Sequence, residues 1–203
     1  MNRRRFLAAL PAAGLLHGCG AGLSLEQGLF NECRRPGGHR VLGHRLVRAA
    51  WDGIEPAKAW DCHAHLFGNG RGAPGVYLNP AFDRPSTLAA RVRRAFFLNA
   101  ACAGEDEDSL DAAVARRLEH LADELPPGAK VMLLAFDHVH DADGRRRDDL
   151  STFAVADAHA AQVARRRPDR FEWIASIHPY RQDAIAALAS AAKSGARAVK
   201  WLP

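Results

Sequence analysis

Trp60-Asp61-Cys62-His63-Ala64-His65-Leu66-Phe67-Gly68 is the stretch on which the reading of this chain turns. It belongs to a strand-like run from Ala59 to Leu66, closed by the turn residues Gly68-Asn69-Gly70. Alternate side chains on a strand share a face. Asp61, His63 and His65 are therefore expected to point one way, and Cys62, Ala64 and Leu66 the other. Two imidazoles two residues apart at a strand's C-terminal end are placed to hold one metal ion, and parallel α/β sheets and barrels build their sites at that end. The pattern alone is weak: ten His in the chain give about half an H-x-H by chance. A second one, His138-Val139-His140, is present. From the residues alone, His63 and His65 read equally as metal ligands or as hydrogen-bonded strand histidines.

Beyond this stretch, short apolar runs alternate with amphipathic segments. Ser86 is placed to cap a helix over about 87–101, with Leu88, Val92 and Phe96 on one face. A second helix follows Asp108 or Ser109, with Leu110, Val114, Leu118, Leu121 and Leu125 at helical spacing, and Pro126-Pro127-Gly128 ends it. Val131 to Phe136 is a continuous apolar run, typical of a strand covered on both faces. A helix near 152–166 stops at Pro168, and Phe171 to Ile177 forms the next strand. Asp183 opens a helix with Ile185, Leu188 and Ala192 inward, and Gly195 ends it; Ala198 to Leu202 is the last strand. Such alternation predicts a parallel α/β sheet of four strands. A doubly wound sheet is compatible with it, but no G-x-G-x-x-G or G-x-x-x-x-G-K-[ST] follows a strand, which removes the main support for nucleotide binding.

The 203 residues carry a formal net charge of +5. Arg3, Arg4 and Arg5 account for much of it, and the rest holds 25 basic against 23 acidic side chains. That balance argues against a nucleic-acid partner. Residues 1–18 read as a signal peptide: a basic start, then 11 residues from Phe6 to Leu16 broken only by Pro11. A bilayer-spanning helix needs about 20 apolar residues, so this run is a targeting segment. Arg3-Arg4-Arg5-Phe6-Leu7 resembles a twin-arginine export signal, and Leu16-His17-Gly18-Cys19 resembles a lipobox that would lipidate Cys19. The expectation is an exported, periplasmic protein with a lipid anchor at Cys19. Residues 19–57, rich in Gly and Pro, read as a tether and N-terminal extension. With Cys19 lipidated, Cys33, Cys62 and Cys102 remain, enough for one disulfide and one free thiol. No C-x-x-C pair supports a thiolate zinc site.

Asp61-Cys62-His63-Ala64-His65-Leu66-Phe67-Gly68 resembles the first-strand metal motif of the amidohydrolase superfamily, metal-dependent hydrolases on (β/α)8 barrels. Ser176-Ile177-His178-Pro179-Tyr180-Arg181 and Gly195 to Pro203 resemble later strands of its amidohydrolase 2 branch. The likeness covers about residues 58–203. It implies that His63 and His65 are ligands of a divalent metal, zinc above all. It places Lys200 where some members carry a carbamate that bridges two metals, although other members have a lysine there that bridges nothing, and a lysine that reaches the strand end or pairs with a carboxylate is the favoured reading of the residue. His178 falls where members place substrate-contacting groups, and its other reading is a cap beside Pro179. His138 and His140, in a charged loop from Asp137 to Asp149, read as solvated; Trp51, Trp60, Trp173 and Trp201 read as core.

A complete barrel of this type takes about 250 residues. Residues 58–203 supply about four βα units, the N-terminal half. The resemblance implies that further histidine ligands, and the aspartate that serves as general base, fall beyond Pro203. The expected activity is hydrolysis of a C–N or C–O bond to a carbonyl carbon in a small-molecule substrate, or decarboxylation, from a truncated and inactive form if the chain ends there. The alternative is a non-enzymatic, lipid-anchored envelope protein that binds metal or a partner. Four strands leave two open edges, which favour self-association. The intact mass of the native gene product tests the truncation: a value far above 22.1 kDa supports the enzyme, and one near that of the chain from Cys19 onward plus lipid supports a self-associating half.

Overall fold

The computed structural model describes residues 43–103 and 109–201. The signal segment, Cys19, Cys33 and most of the 19–57 tether lie outside the described residues. The tether's described part contains a short helix, α1 (Arg45–Ala50), started by the His44 side chain, which accepts from the Leu46 amide. A 3-10 turn (Pro56–Lys58) leads into strand β1 (Trp60–His65). Then come β2 (Val76–Leu78), α2 (Pro80–Asp83), α3 (Leu88–Ala100), α4 (Leu110–Asp123), β3 (Lys130–Leu134), β4 (Phe153–Val155), α5 (Asp157–Arg166), β5 (Phe171–Ser176), α6 (Ala184–Lys193) and β6 (Ala198–Lys200).

The four expected strands are β1, β3, β5 and β6, and they form one parallel sheet in that order. Each strand lies beside the one before it, so the order never reverses. Right-handed crossovers then carry every connecting helix to the same face. A doubly wound sheet reverses its order at a switch point, so that alternative falls. The result is a mixed α/β fold with a curled, parallel, half-barrel sheet, compatible with a partial α/β barrel.

The two faces of the sheet are filled differently. Ala64, Leu66, Val131, Leu133, Phe171, Trp173 and Ala175 join Ala160, Ala161, Val163 and Ala164 of α5 in the main core. Met132, Leu134 and Ile174 form a smaller cluster on the opposite, concave face. Alanines on α5 let the helix approach the strands closely, and Val163 and Leu133 are wholly buried.

Several expectations are corrected. The helix placed near 152–166 is two elements. Phe153–Val155 forms β4, antiparallel to β2, and the helix begins at Asp157. The β-branched and aromatic residues Thr152, Phe153 and Val155 favour strand there. Thr87, not Ser86, caps α3 by accepting from the Ala90 amide. Leu88, Val92 and Phe96 are exposed, and α3 buries Ala95, Leu98 and Asn99 instead. On α6, Ile185 is 82% exposed, Leu188 and Ala192 also face outward, and only Ala191 is buried. Ala184 and Ala187 pack beside Ala191 on the core, because small side chains bring the helix against the sheet. Trp60 and Trp201 are exposed as well, and Trp173 is the tryptophan of the core.

Two helix termini are tied in specific ways. α3 ends with Ala103 N–H donating to Leu98 O and Cys102 N–H to Asn99 O, both at 3.0 Å. This turn places Cys102 at φ 54, among the described residues the one non-glycine with positive φ. Glycine is favoured at such a position, and a Cβ there costs about 1 kcal/mol. α4 starts at the Ser109 cap. Its buried Asp111 accepts from the amides of Gly70 (Oδ1, 3.0 Å) and Gly72 (Oδ2, 2.9 Å). The carboxylate also faces the positive pole of α4. A Cβ on Gly68 would run into Asp111 Oδ1, and one on Gly72 into Ser109 Oγ. Asp111 therefore fixes the loop that follows β1. Asp111→Ala strands two amides and is expected to cost about 2–3 kcal/mol, and Gly68→Ala is expected to destabilise in the same direction. Urea unfolding of both variants checks this, and midpoints equal to wild type for both would remove the clamp.

Candidate functional site

β1 and β3 do not run in continuous register. Asp61 pairs with Val131 and Ala64 with Leu133, so Cys62 and His63 stand opposite Met132 alone. This irregularity breaks the expected alternation. Asp61 is in register with Val131 and Ala64 with Leu133, both residues of the helix-side core. Asp61 thus leaves the face that holds His65. Its Oδ1 accepts from the His63 amide at 2.9 Å and so satisfies a backbone group within the irregular stretch. Cys62 is exposed, and its Sγ lies 3.6 Å from Trp60 O.

The shift does not separate the two histidines. Nε2 of His63 lies 3.0 Å from Nε2 of His65. Lys200 Nζ, from the far edge of the sheet, lies 3.3 Å from the same His65 nitrogen. Three strand steps of about 4.8 Å would hold β1 and β6 about 14 Å apart in a flat sheet, so the curl makes this meeting. His65 packs on Phe136 and Phe153, with ring centroids 5.7 and 6.5 Å away. Its Nδ1 is buried with no hydrogen-bond partner. Burial, the Lys200 charge and His63 push its pKa down to about 4. Lys200 is lowered by burial. Its ammonium also sits 4.8 Å from the centre of the Phe136 ring, which favours the charged form. With its pKa that low, His65 is neutral at neutral pH and adds no charge of its own against Lys200.

With Nε2 deprotonated on both rings, the two imidazoles would offer two lone pairs to one point. Two nitrogens bound at about 2.1 Å to one tetrahedral zinc stand about 3.4 Å apart, close to the separation found. The donor set therefore fits a metal edge, with Lys200 the adjacent third nitrogen. Among the described residues no group of three His, Cys, Asp or Glu is placed to hold a metal ion.

A cavity of about 780 Å³ follows the free side of β1 past His63 and His65, lined largely by apolar side chains that include Phe67, Phe97, Leu118 and Phe153. A larger one, about 1070 Å³, is lined from α5 and α6 and holds none of His63, His65 and Lys200.

A scan against protein-family models and searches of curated proteins and of solved structures return no match to this chain.

His178 belongs to a second cluster. It is buried, its Nδ1 accepts from the Tyr180 amide at 3.2 Å, and its ring lies 5.2 Å from that of His140. The organiser is Asp137, which sequence reading passed over. Its Oδ2 accepts from the His178 amide (2.8 Å) and from Arg181 Nη1 (3.0 Å), and its own amide donates to Ser176 Oγ. An acid directly after an apolar strand was the available signal. Asp157 likewise accepts from the Ser176 amide, and burial raises its pKa. The loop read as solvated is sewn down. Asn79 Nδ2 donates to Asp148 O and Ser151 O, and Ser151 Oγ accepts from Val139 N–H. His138 is half-buried, its Nδ1 2.9 Å from Asp148 Oδ1 but without hydrogen-bond alignment. His140 contributes Nδ1, 2.9 Å from His138 O.

Burial also lowers the pKa of His159 on α5, against the opposing pull of Asp111; Arg166 lowers it further. His138 and His178 are lowered chiefly by burial too. Each binds protons less readily folded than unfolded. Their stabilising contribution is complete above the unfolded value of about 6.5 and is lost as pH falls through it. Urea midpoints are expected to fall between pH 7.5 and 5, with a shallower fall in His159→Gln. A flat profile in wild type would overturn this.

Proposed function

We propose that this chain is the N-terminal half of a (β/α)8-type, metal-dependent hydrolase of the amidohydrolase kind, working after export. The observation that carries the reading is the meeting of His63, His65 and Lys200 at the C-terminal ends of the two outer strands. His63 and His65 would hold a divalent ion, zinc the favoured one, and Lys200 is the third donor or the modified ligand. Such an ion polarises a carbonyl and acidifies water. The chain's own residues do the rest. Phe136 and Phe153 wall His65 on one side and keep water from its ring. Asp61 holds the His63 backbone, and Asp111 fixes the loop after the strand. His178 has Nδ1 committed to Tyr180, so Nε2 is the atom it would offer a substrate.

The substrate class follows from the proposed chemistry: an amide or ester carbonyl, or a carboxylate on an unsaturated ring. The apolar cavity beside His63 supports an uncharged, ring-bearing portion. Export is supported by Cys102, which is disulfide-bonded, since such bonds persist in oxidising compartments. A lipid anchor at Cys19 belongs to the same proposal.

A second reading is a non-enzymatic envelope protein that binds metal or a partner. It is favoured by the two-histidine donor set among the described residues and by the exposed apolar side chains Ile185, Leu188 and Trp201. Zinc titration followed by calorimetry tests the site common to both. His63→Ala and His65→Ala are each expected to weaken binding at least tenfold, and affinities unchanged from wild type would sink the assignment. Turnover of aryl esters or amides that is lost on chelation and restored by zinc favours the enzyme. Zinc binding without turnover favours the envelope protein.

A further inference from the structure

Arg117 is the one arginine or lysine in the wall of the apolar cavity beside β1. We propose that it anchors a binding site for an amphipathic monocarboxylate, a single carboxylate carried on an apolar chain or ring. The binding step needs no metal. Only its bearing on the substrate rests on the hydrolase reading.

The state of the guanidinium is the first argument. Arg146, Arg147, Arg167, Arg181 and Arg197 each lie within 3.1 Å of a carboxylate oxygen. Arg117, half-buried on α4, has no ion-pair or hydrogen-bond partner among the described residues. A guanidinium cannot shed its charge, so its N–H groups are left unmet in an apolar wall. Nε is sealed from solvent and the two terminal nitrogens are not, so Nη1 and Nη2 are the pair that a ligand reaches. Two parallel N–H bonds match the two oxygens of a carboxylate.

The surroundings are the second argument. Arg117 shares a face of α4 with Val114, Leu118 and Leu121, and Phe97 of α3 lines the same space. The cavity holds about 780 Å³, the size of a small-ligand pocket, and an apolar body is stabilised there by leaving water. The acids of the wall limit the charge of the ligand. Asp61 is engaged with the His63 amide. Glu124 follows Arg117 by seven residues, about 10 Å along the helix. Neither neutralises Arg117, and both oppose a second negative charge, so a monoanion fits where a phosphate or a dicarboxylate does not. His63 and His65 line the same cavity. Under the hydrolase reading the substrate is therefore an acid whose carboxylate is held at Arg117 while its scissile carbonyl lies toward His63.

Calorimetry with octanoate tests this on the full chain, in excess EDTA, which removes any metal that would hold the carboxylate. Octanoate is expected to bind at least about tenfold more tightly than octan-1-ol. Arg117→Gln should weaken octanoate by about that factor and leave octan-1-ol unchanged, and Arg117→Lys should recover part of the loss. No binding of octanoate by the wild type, equal affinity for acid and alcohol, or tighter binding of octyl phosphate would each overturn the proposal. So would an affinity for octanoate in Arg117→Gln equal to that of the wild type. The comparison of ligands on the wild type decides the matter even if a variant fails to fold. Zinc titration without octanoate reads the metal site separately. Zinc binding without octanoate binding removes this inference alone, and octanoate binding without zinc binding removes the metal site alone.

Discussion

Everything that brings chemistry together in this chain depends on the curl of one parallel sheet. Lys200 and His65 sit on its two outer strands, with β3 and β5 between them, yet their nitrogens are 3.3 Å apart. The curl follows from covalent chirality. Each strand twists right-handedly, each crossover turns the same way, and all helices collect on one face. Alanine-rich helix surfaces then draw the sheet inward from the convex side. The concave side carries Met132, Leu134 and Ile174 together with His63, His65 and Lys200.

Much of the fold was legible because its signals are long. Four strands and three of the helices announce themselves through apolar runs, caps and breakers such as Ser109 and Pro126-Pro127-Gly128. What was not legible depends on partners distant in sequence. Phe153-Ala154-Val155 becomes a strand only because Val76-Tyr77-Leu78 lies beside it. On α6 the larger residues Ile185 and Leu188 were the natural choice for the buried stripe. Close approach to the sheet selected the alanines instead, and a pattern of hydrophobicity cannot distinguish those outcomes.

The site shows the same division. The spacing of His63 and His65 was readable from alternation, and their meeting with Lys200 agrees with the order of the strands. The place of Asp61 was not readable, because one extra residue in β1 shifts every side chain before it to the other face. Nor was the work of Asp111 and Asp137. Both are acids that receive backbone amides from loops roughly 40 residues away in sequence, and no local motif records such a pairing. These two carboxylates hold the loops around the ends of β1, β3 and β5 in fixed positions, as preorganisation of a binding site requires.

The unequal burial of the tryptophans gives the molecule its own optical reporters. Trp173 is 4% exposed and sits in the main core, whereas Trp201 is 70% exposed and adjoins Lys200 in sequence. Emission from the first follows the integrity of the sheet. Emission from the second reports the solvent-facing edge of the sheet next to Lys200. The blue component of the spectrum comes from Trp173, while Trp201, with the exposed Trp60, supplies the red, solvent-facing part. Loss of the fold is therefore read as a shift of the blue component, without any label.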